Sequence, residues 1–220
     1  MKLRAILIDH DGTLVNSERI HYKMWVQILA RYGFSLSEQQ YRTYYAGVPT
    51  SANAIDMVQR FGIDESSDQL AGAKNAATRG YLAQQPFPLM PGVREAIFAF
   101  HNAGLKLAVV TGAGANGVQK TLVVNDFAKC FSTVVSGDDV RNSKPAPDCY
   151  LLALERLGVT ADECLAIEDT QHGLEAAVQA GIGCVALPTE MTKHQDFHLA
   201  AAVLGGMSEA VDYVHDVLHA

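Results

Sequence analysis

Four short apolar runs, each ended by polar, charged or turn-forming residues, constrain this chain more than anything else in it. Ala5-Ile6-Leu7-Ile8 stops abruptly at Asp9-His10-Asp11-Gly12, and Leu107–Val110, Cys164–Ile167 and Gly183–Leu187 repeat the design further on. Runs of this length bounded by turn residues predict strands buried on both faces, as in a parallel sheet. Thr133–Val135 and Ala201–Leu204 are weaker candidates. Helical periodicity fills the intervals. Val93, Ala96, Ile97 and Phe100 follow i, i+3, i+4, i+7 spacing; Tyr150, Ala153, Leu154 and Leu157 repeat it, and Leu174, Ala177 and Val178 give a shorter version. Gly104, Gly158 and Gly181 stand where these helices should end. Strand and helix alternate from residue 91 onward, which predicts an α/β fold built on a doubly wound parallel sheet.

Residues 15–85 break the alternation. Ile20, Met24, Ile28 and Tyr32 form a helical stripe, 48–61 and 70–82 read as further helices, and no buried strand separates them. Pro86 and Pro88 then stiffen the exit. The expected organisation is an α/β core from 1–14 and 86–220, with a helical insert at 15–85.

Composition narrows the partners. Seventeen Lys+Arg against 24 Asp+Glu give a net charge of −7, without the basic clusters that mark nucleic-acid or anionic-membrane surfaces. Cys130, Cys149, Cys164 and Cys184 are too scattered for a zinc site or a disulfide framework and read as reduced, mostly buried thiols. No run resembles a signal peptide or a membrane span. A soluble, cytoplasmic protein with no nucleic-acid or membrane partner is expected.

In open α/β sheets, ligands bind beyond the carboxyl ends of the strands. Those ends deliver Asp9 and Asp11, then Thr111-Gly112-Ala113, then Lys144-Pro145 shortly after Thr133–Val135, then Glu168-Asp169. Asp9 and Asp11 stand two apart in what reads as an extended segment, so both carboxylates can face one way. Carboxylates held that close need a cation or a shared proton. An all-carboxylate set suits a hard cation such as Mg²⁺, and no Cys/His cluster invites zinc. Pro145 disfavours a helical backbone at Lys144, which predicts an extended lysine. Thr111 is positioned to cap a following helix. Gly112-x-Gly114-x-x-Gly117 is a literal dinucleotide fingerprint with Asp138 and Asp139 at about the right distance. It follows the wrong strand for that role and ranks as a decoy.

Four segments together resemble the haloacid dehalogenase (HAD) superfamily, in its capped phosphatase and phosphomutase branch. They are Asp9-His10-Asp11-Gly12-Thr13-Leu14-Val15, Val109-Val110-Thr111-Gly112, Lys144-Pro145-Ala146-Pro147-Asp148 and Ile167-Glu168-Asp169-Thr170, in the family's order. The resemblance implies a Mg²⁺-dependent phosphatase acting on a small phosphorylated metabolite. Asp9 would be the nucleophile and Asp11 the general acid and base. Thr111, Lys144 and the Gly112 and Ala113 amides would hold the phosphoryl oxygens. Asp9, the Asp11 carbonyl, Glu168 and Asp169 would surround the metal. In the insert, read as a cap, His21 and Thr50 are candidate substrate contacts; Trp25, Tyr44 and Asn53 are further candidates to line the pocket, with core packing the expected role of Trp25. The alternative is a sugar phosphomutase: His21 and Lys74-Asn75 loosely echo mutase caps, but Gly47-Val48-Pro49-Thr50 lacks the arginine typical there. Asp11 argues against a dehalogenase. His10 stands where the family usually has an apolar or aromatic residue, and reads as a loop imidazole between two acids.

Overall fold

The computed structural model describes residues 3–219; Met1, Lys2 and Ala220, the ends of the expected core domain, lie outside the described residues. In chain order, β1 (Ala5–Ile8) is followed by α1 (Glu18–Ala30), α2 (Glu38–Tyr44), α3 (Thr50–Phe61) and α4 (Ser67–Gln84). Then come α5 (Val93–Asn102), β2 (Lys106–Val110), α6 (Ala115–Val124), β3 (Phe131–Val135) and α7 (Asp148–Leu157). The chain finishes with β4 (Cys164–Glu168), α8 (Gln171–Gln179), β5 (Gly183–Ala186), β6 (Ala202–Val203) and α9 (Met207–His219). Contacts divide it into two compact units, one formed by residues up to Asn16 and from Phe87 onward, the other by Ser17–Pro86.

The first unit holds a six-stranded parallel sheet in the order β3-β2-β1-β4-β5-β6. It is a doubly wound α/β fold. Winding runs outward from β1 through β2 to β3, then reverses to β4 on the other side of β1. That reversal is the topological switch point, where the carboxyl ends of neighbouring strands diverge and leave a crevice. Every residue of β1 is buried, consistent with a central strand covered on both faces. Ala5, Leu7, Ala108, Val110, Cys164 and Ala166 pack on one face against Tyr150, Ala153 and Leu157 of α7 and Leu174 and Ala177 of α8. The four cysteines are free and buried. No described helix is long and apolar enough to cross a membrane.

The chain leaves and re-enters this unit through paired segments. Val15 bridges Leu89, the Asn16 amide donates to the Pro88 carbonyl, and the Met90 amide donates to Leu14. These bonds place Val15 and Asn16 with the sheet.

The second unit is helical. Ser37 and Ser66 open α2 and α4 with capping boxes completed by Gln40 and Gln69, each satisfying backbone donors that a helix start leaves open. Trp25, Ile28, Leu29, Ala54, Met57 and Leu70 are buried.

Candidate active site

Strand register brings the predicted acids together. Ile8 pairs with Val109 on one side and Ile167 on the other, so the residues just beyond all three emerge at one level. Asp9 is held there by its amide, which donates to the Ile167 carbonyl at 3.0 Å. The chain then turns sharply. The Leu14 and Val15 amides both donate to the His10 carbonyl at 2.9 Å, and Gly12 adopts φ +94°. Asp11 lies in this tight loop, not in the extended segment expected for it. A Cβ at Gly12 would sit 2.1 Å from Asp169 Oδ2, so the loop passes the acid at a distance only glycine permits.

Lys144 lies at the centre. Its Nζ donates to Asp9 Oδ1 (2.6 Å), Glu168 Oε1 (2.6 Å) and the Val110 carbonyl (2.9 Å). A turn closed by the Ala146 amide on the Ser143 carbonyl carries it, and the Lys144–Pro145 peptide is cis. That turn carries the lysine whose ammonium reaches both acids.

Oxygens of Asp9, Glu168 and Asp169 lie within 4.8 Å of one another, all three residues buried. The Asp11 carboxylate is not among them. Thr13 Oγ1 donates to Asp169 Oδ1 at 3.4 Å. Glu168 Oε1 also accepts from the Tyr150 hydroxyl at 2.6 Å, whereas buried Glu168 Oε2 has no hydrogen-bond partner among the described residues. Burial raises the pKa of Asp9 and pushes Glu168 up to about 7, with Lys144 pulling against the rise in both. Burial would lower Lys144, but the Asp9 and Glu168 carboxylates outweigh it and hold the ammonium above the ordinary lysine range. With all three acids ionised, the set carries two negative charges beyond what Lys144 neutralises. A divalent cation held by carboxylate oxygens matches that excess and would give the orphaned Glu168 oxygen a partner.

Thr111 is buried at the end of β2, its amide on the Val135 carbonyl. It does not cap the next helix. Gly114 is the N-cap of α6, and the Ala115 amide donates to Asp138 Oδ2 at 3.0 Å. A carboxylate is the stronger acceptor at a helix N-terminus, so Asp138 takes that place. This contact also disposes of the dinucleotide reading, since the acid fills the position a pyrophosphate would need. Thr111 Oγ1 instead accepts from the Ala113 amide at 3.0 Å, leaving its own proton to donate. Gly112 sits between them.

His21 and Thr50 belong to the helical unit. His21 Nδ1 lies 3.0 Å from Nζ of the buried Lys74, and Thr50 opens α3. Trp25 is core, and Asn53 uses its side-chain amide on the Tyr45 and Val48 carbonyls.

A family model described as haloacid dehalogenase-like hydrolase matches residues 6–187. The chain belongs to the haloacid dehalogenase-like hydrolase family. Among relatives in this family, protein CbbY of Rhodobacter capsulatus is 34% identical over 209 residues, covering 91% of this chain and 92% of its own. The fructose-1-phosphate phosphatase YqaB of Escherichia coli is 31% identical over 183 residues, covering 82% and 94%. A crystal structure of a CbbY mutant from Rhodobacter sphaeroides, in complex with xylulose-(1,5)bisphosphate, superposes with a TM-score of 0.81 at 26% identity, covering 94% of this chain and 96% of that one.

Two members of this haloacid dehalogenase-like site were not read as functional from the sequence. Tyr150 counted as part of an apolar helix stripe, although a buried tyrosine hydroxyl needs a partner. Gly173, inside α8, packs directly against the Glu168 carboxylate, and nothing in its sequence context marks it.

Proposed function

We propose that this chain is a Mg²⁺-dependent phosphatase of small phosphorylated sugars, working in the cytoplasm through an aspartyl-phosphate on Asp9. The observation that carries the reading is the buried Lys144 ammonium shared by Asp9 Oδ1 and Glu168 Oε1, with Asp169 alongside. Lys144 fixes one Asp9 oxygen and leaves the other to attack phosphorus. The bond from phosphorus to the leaving oxygen breaks as the Asp11 carboxyl gives that oxygen its proton. Asp11, now a carboxylate, takes a proton from water, which attacks the same phosphorus and returns Asp9 and free phosphate. The Thr111 hydroxyl and Gly112 amide donate to the phosphoryl oxygens, and Ala113 joins them by giving up its bond to Thr111. Asp9, Glu168, Asp169 and the Asp11 carbonyl would hold Mg²⁺, which would supply charge neutralisation for the transferring group. Choice among leaving groups falls to the helical unit, with His21 and Thr50 the first positions to substitute. The named activity of YqaB and the ligand of the CbbY complex support a sugar phosphate over other monoesters.

The test is hydrolysis of fructose 1-phosphate, xylulose 1,5-bisphosphate and p-nitrophenyl phosphate with Mg²⁺, by wild type and Asp9→Asn. Wild type releases phosphate from at least one sugar. Asp9→Asn keeps its circular dichroism and loses at least ~10³-fold in rate. Substantial residual turnover in that variant would sink the reading. Isomerised sugar phosphate without net phosphate release would establish the mutase instead.

A further inference from the structure

His10 lies between the two acids at the mouth of the site, yet it is 1% exposed and both of its ring nitrogens are engaged. Nε2 is 3.0 Å from Thr121 Oγ1 on α6. That hydroxyl donates its one proton to the Gly117 carbonyl at 3.1 Å, so toward His10 it accepts, and the ring carries a proton on Nε2. Nδ1 then meets Asp11 Oδ2 at 3.2 Å. Whether the proton in that contact sits on the carboxyl or on the ring, the carboxyl is held in the same orientation. The far end of this strut is rigid: Thr121 is fully buried in a helix, and the His10 backbone is clamped by two amides at 2.9 Å. A leucine or valine here would fill the space but hold nothing.

We propose that His10 is a positioning residue, anchored by Thr121, that aims the Asp11 carboxyl at the leaving oxygen. This rests on the reading of Asp11 as proton donor. It goes beyond that reading by assigning work to an imidazole and a helix threonine that the nucleophile, the phosphoryl contacts and the metal do not use.

Proton donation matters for an alkoxide leaving group and little for a nitrophenolate, and kcat/KM covers only the steps through formation of the phosphoenzyme. In His10→Leu, kcat/KM should fall about ten-fold for fructose 1-phosphate and change less than about two-fold for p-nitrophenyl phosphate. His10→Asn, whose amide reaches the Nδ1 position, should recover most of the loss; His10→Gln, which reaches only Thr121, should not. Thr121→Val frees the ring while leaving His10 in place, and should show the same selectivity even if His10→Leu fails to fold. Equal loss on both substrates, or none, in Thr121→Val and the foldable His10 variants overturns the strut. Asp11→Asn separates the two layers. An unselective effect there removes the acid role and this proposal with it, whereas selectivity in Asp11→Asn beside unselective His10 and Thr121 variants overturns the strut alone.

Discussion

Lys144 Nζ and Glu168 Oε1 are 2.6 Å apart in a site where the lysine side chain is 9% exposed and the glutamate 0%. The same ammonium holds Asp9 at an equal distance. One cation thus serves two buried carboxylates with a third alongside, an arrangement stable only while each charge has its partner.

Lys144→Met strands Asp9 and Glu168 without a counter-charge. Urea unfolding in EDTA at neutral pH should show a loss of about 3–5 kcal/mol, the usual cost of removing one partner of a buried pair. The deficit should shrink at acid pH, where both carboxyls are neutral. An unchanged midpoint at neutral pH would mean that water, not Lys144, solvates these acids.

Glu168 gives a pH dependence of definite sign. Its carboxyl titrates near 4.5 in an unperturbed chain and at about 7 in the fold, chiefly through burial. The folded state therefore holds this proton more tightly, and the resulting stability is complete below 4.5 and lost as pH rises through about 7. Without metal, Tm should decline across that window, and Glu168→Gln should flatten the decline. Mg²⁺ binds the ionised form, so the rise in Tm on adding it should grow from acid to neutral pH. A Mg²⁺ shift equal at both ends would contradict the assignment.

Legibility followed burial and periodicity. The strands β1, β2, β4 and β5 coincide with clear apolar runs, because a strand covered on both faces must be apolar on both; the partly exposed edge strands β3 and β6 left only weaker ones. The acids and Lys144 were legible because polar residues stop those runs at one end of the sheet. The α2 helix was not, although Ser37 and Gln40 form a capping box, since its seven residues bury only Tyr41 and leave too short a stripe. The α9 helix was missed despite buried Met207, Ala210 and Val214 at helical spacing. Thr111 looked like a helix cap because the competing acid, Asp138, is distant in sequence and near only once β3 lies beside β2. His10 looked like a loop residue for the same reason: Thr121 is 111 positions away.

Tyr150 holds Glu168 Oε1 from α7, a helix instead of a strand end. Its hydroxyl pKa is raised well above the usual phenol value by burial and by Glu168, so it remains a donor at every working pH. Tyr150→Phe removes one hydrogen bond and leaves Lys144 alone to orient the carboxylate. The free energy of unfolding should fall by about 1–3 kcal/mol, and Mg²⁺ affinity should fall about ten-fold, as when a group behind a metal ligand is removed. Calorimetric titration with Mg²⁺ checks the second figure, and an affinity equal to wild type would mean that Lys144 orients Glu168 unaided.

Gly173→Ala and Gly72→Ala make a matched pair. Both glycines lie inside helices, α8 and α4, where alanine ordinarily stabilises by up to ~1 kcal/mol. Around Gly72 a new Cβ meets nothing within 4 Å, so Gly72→Ala should gain that stability and leave activity unchanged. At Gly173 the Cβ would fall 1.9 Å from Glu168 Oε2 and 2.1 Å from Cδ. The carboxylate is itself tied to Lys144 and Tyr150, so relief requires either breaking those bonds or shifting α8. Gly173→Ala should therefore lose about 2–3 kcal/mol by urea titration instead of gaining, and its Mg²⁺-dependent turnover should collapse. Were the two substitutions equally stabilising, the close packing of α8 on Glu168 would not exist in solution.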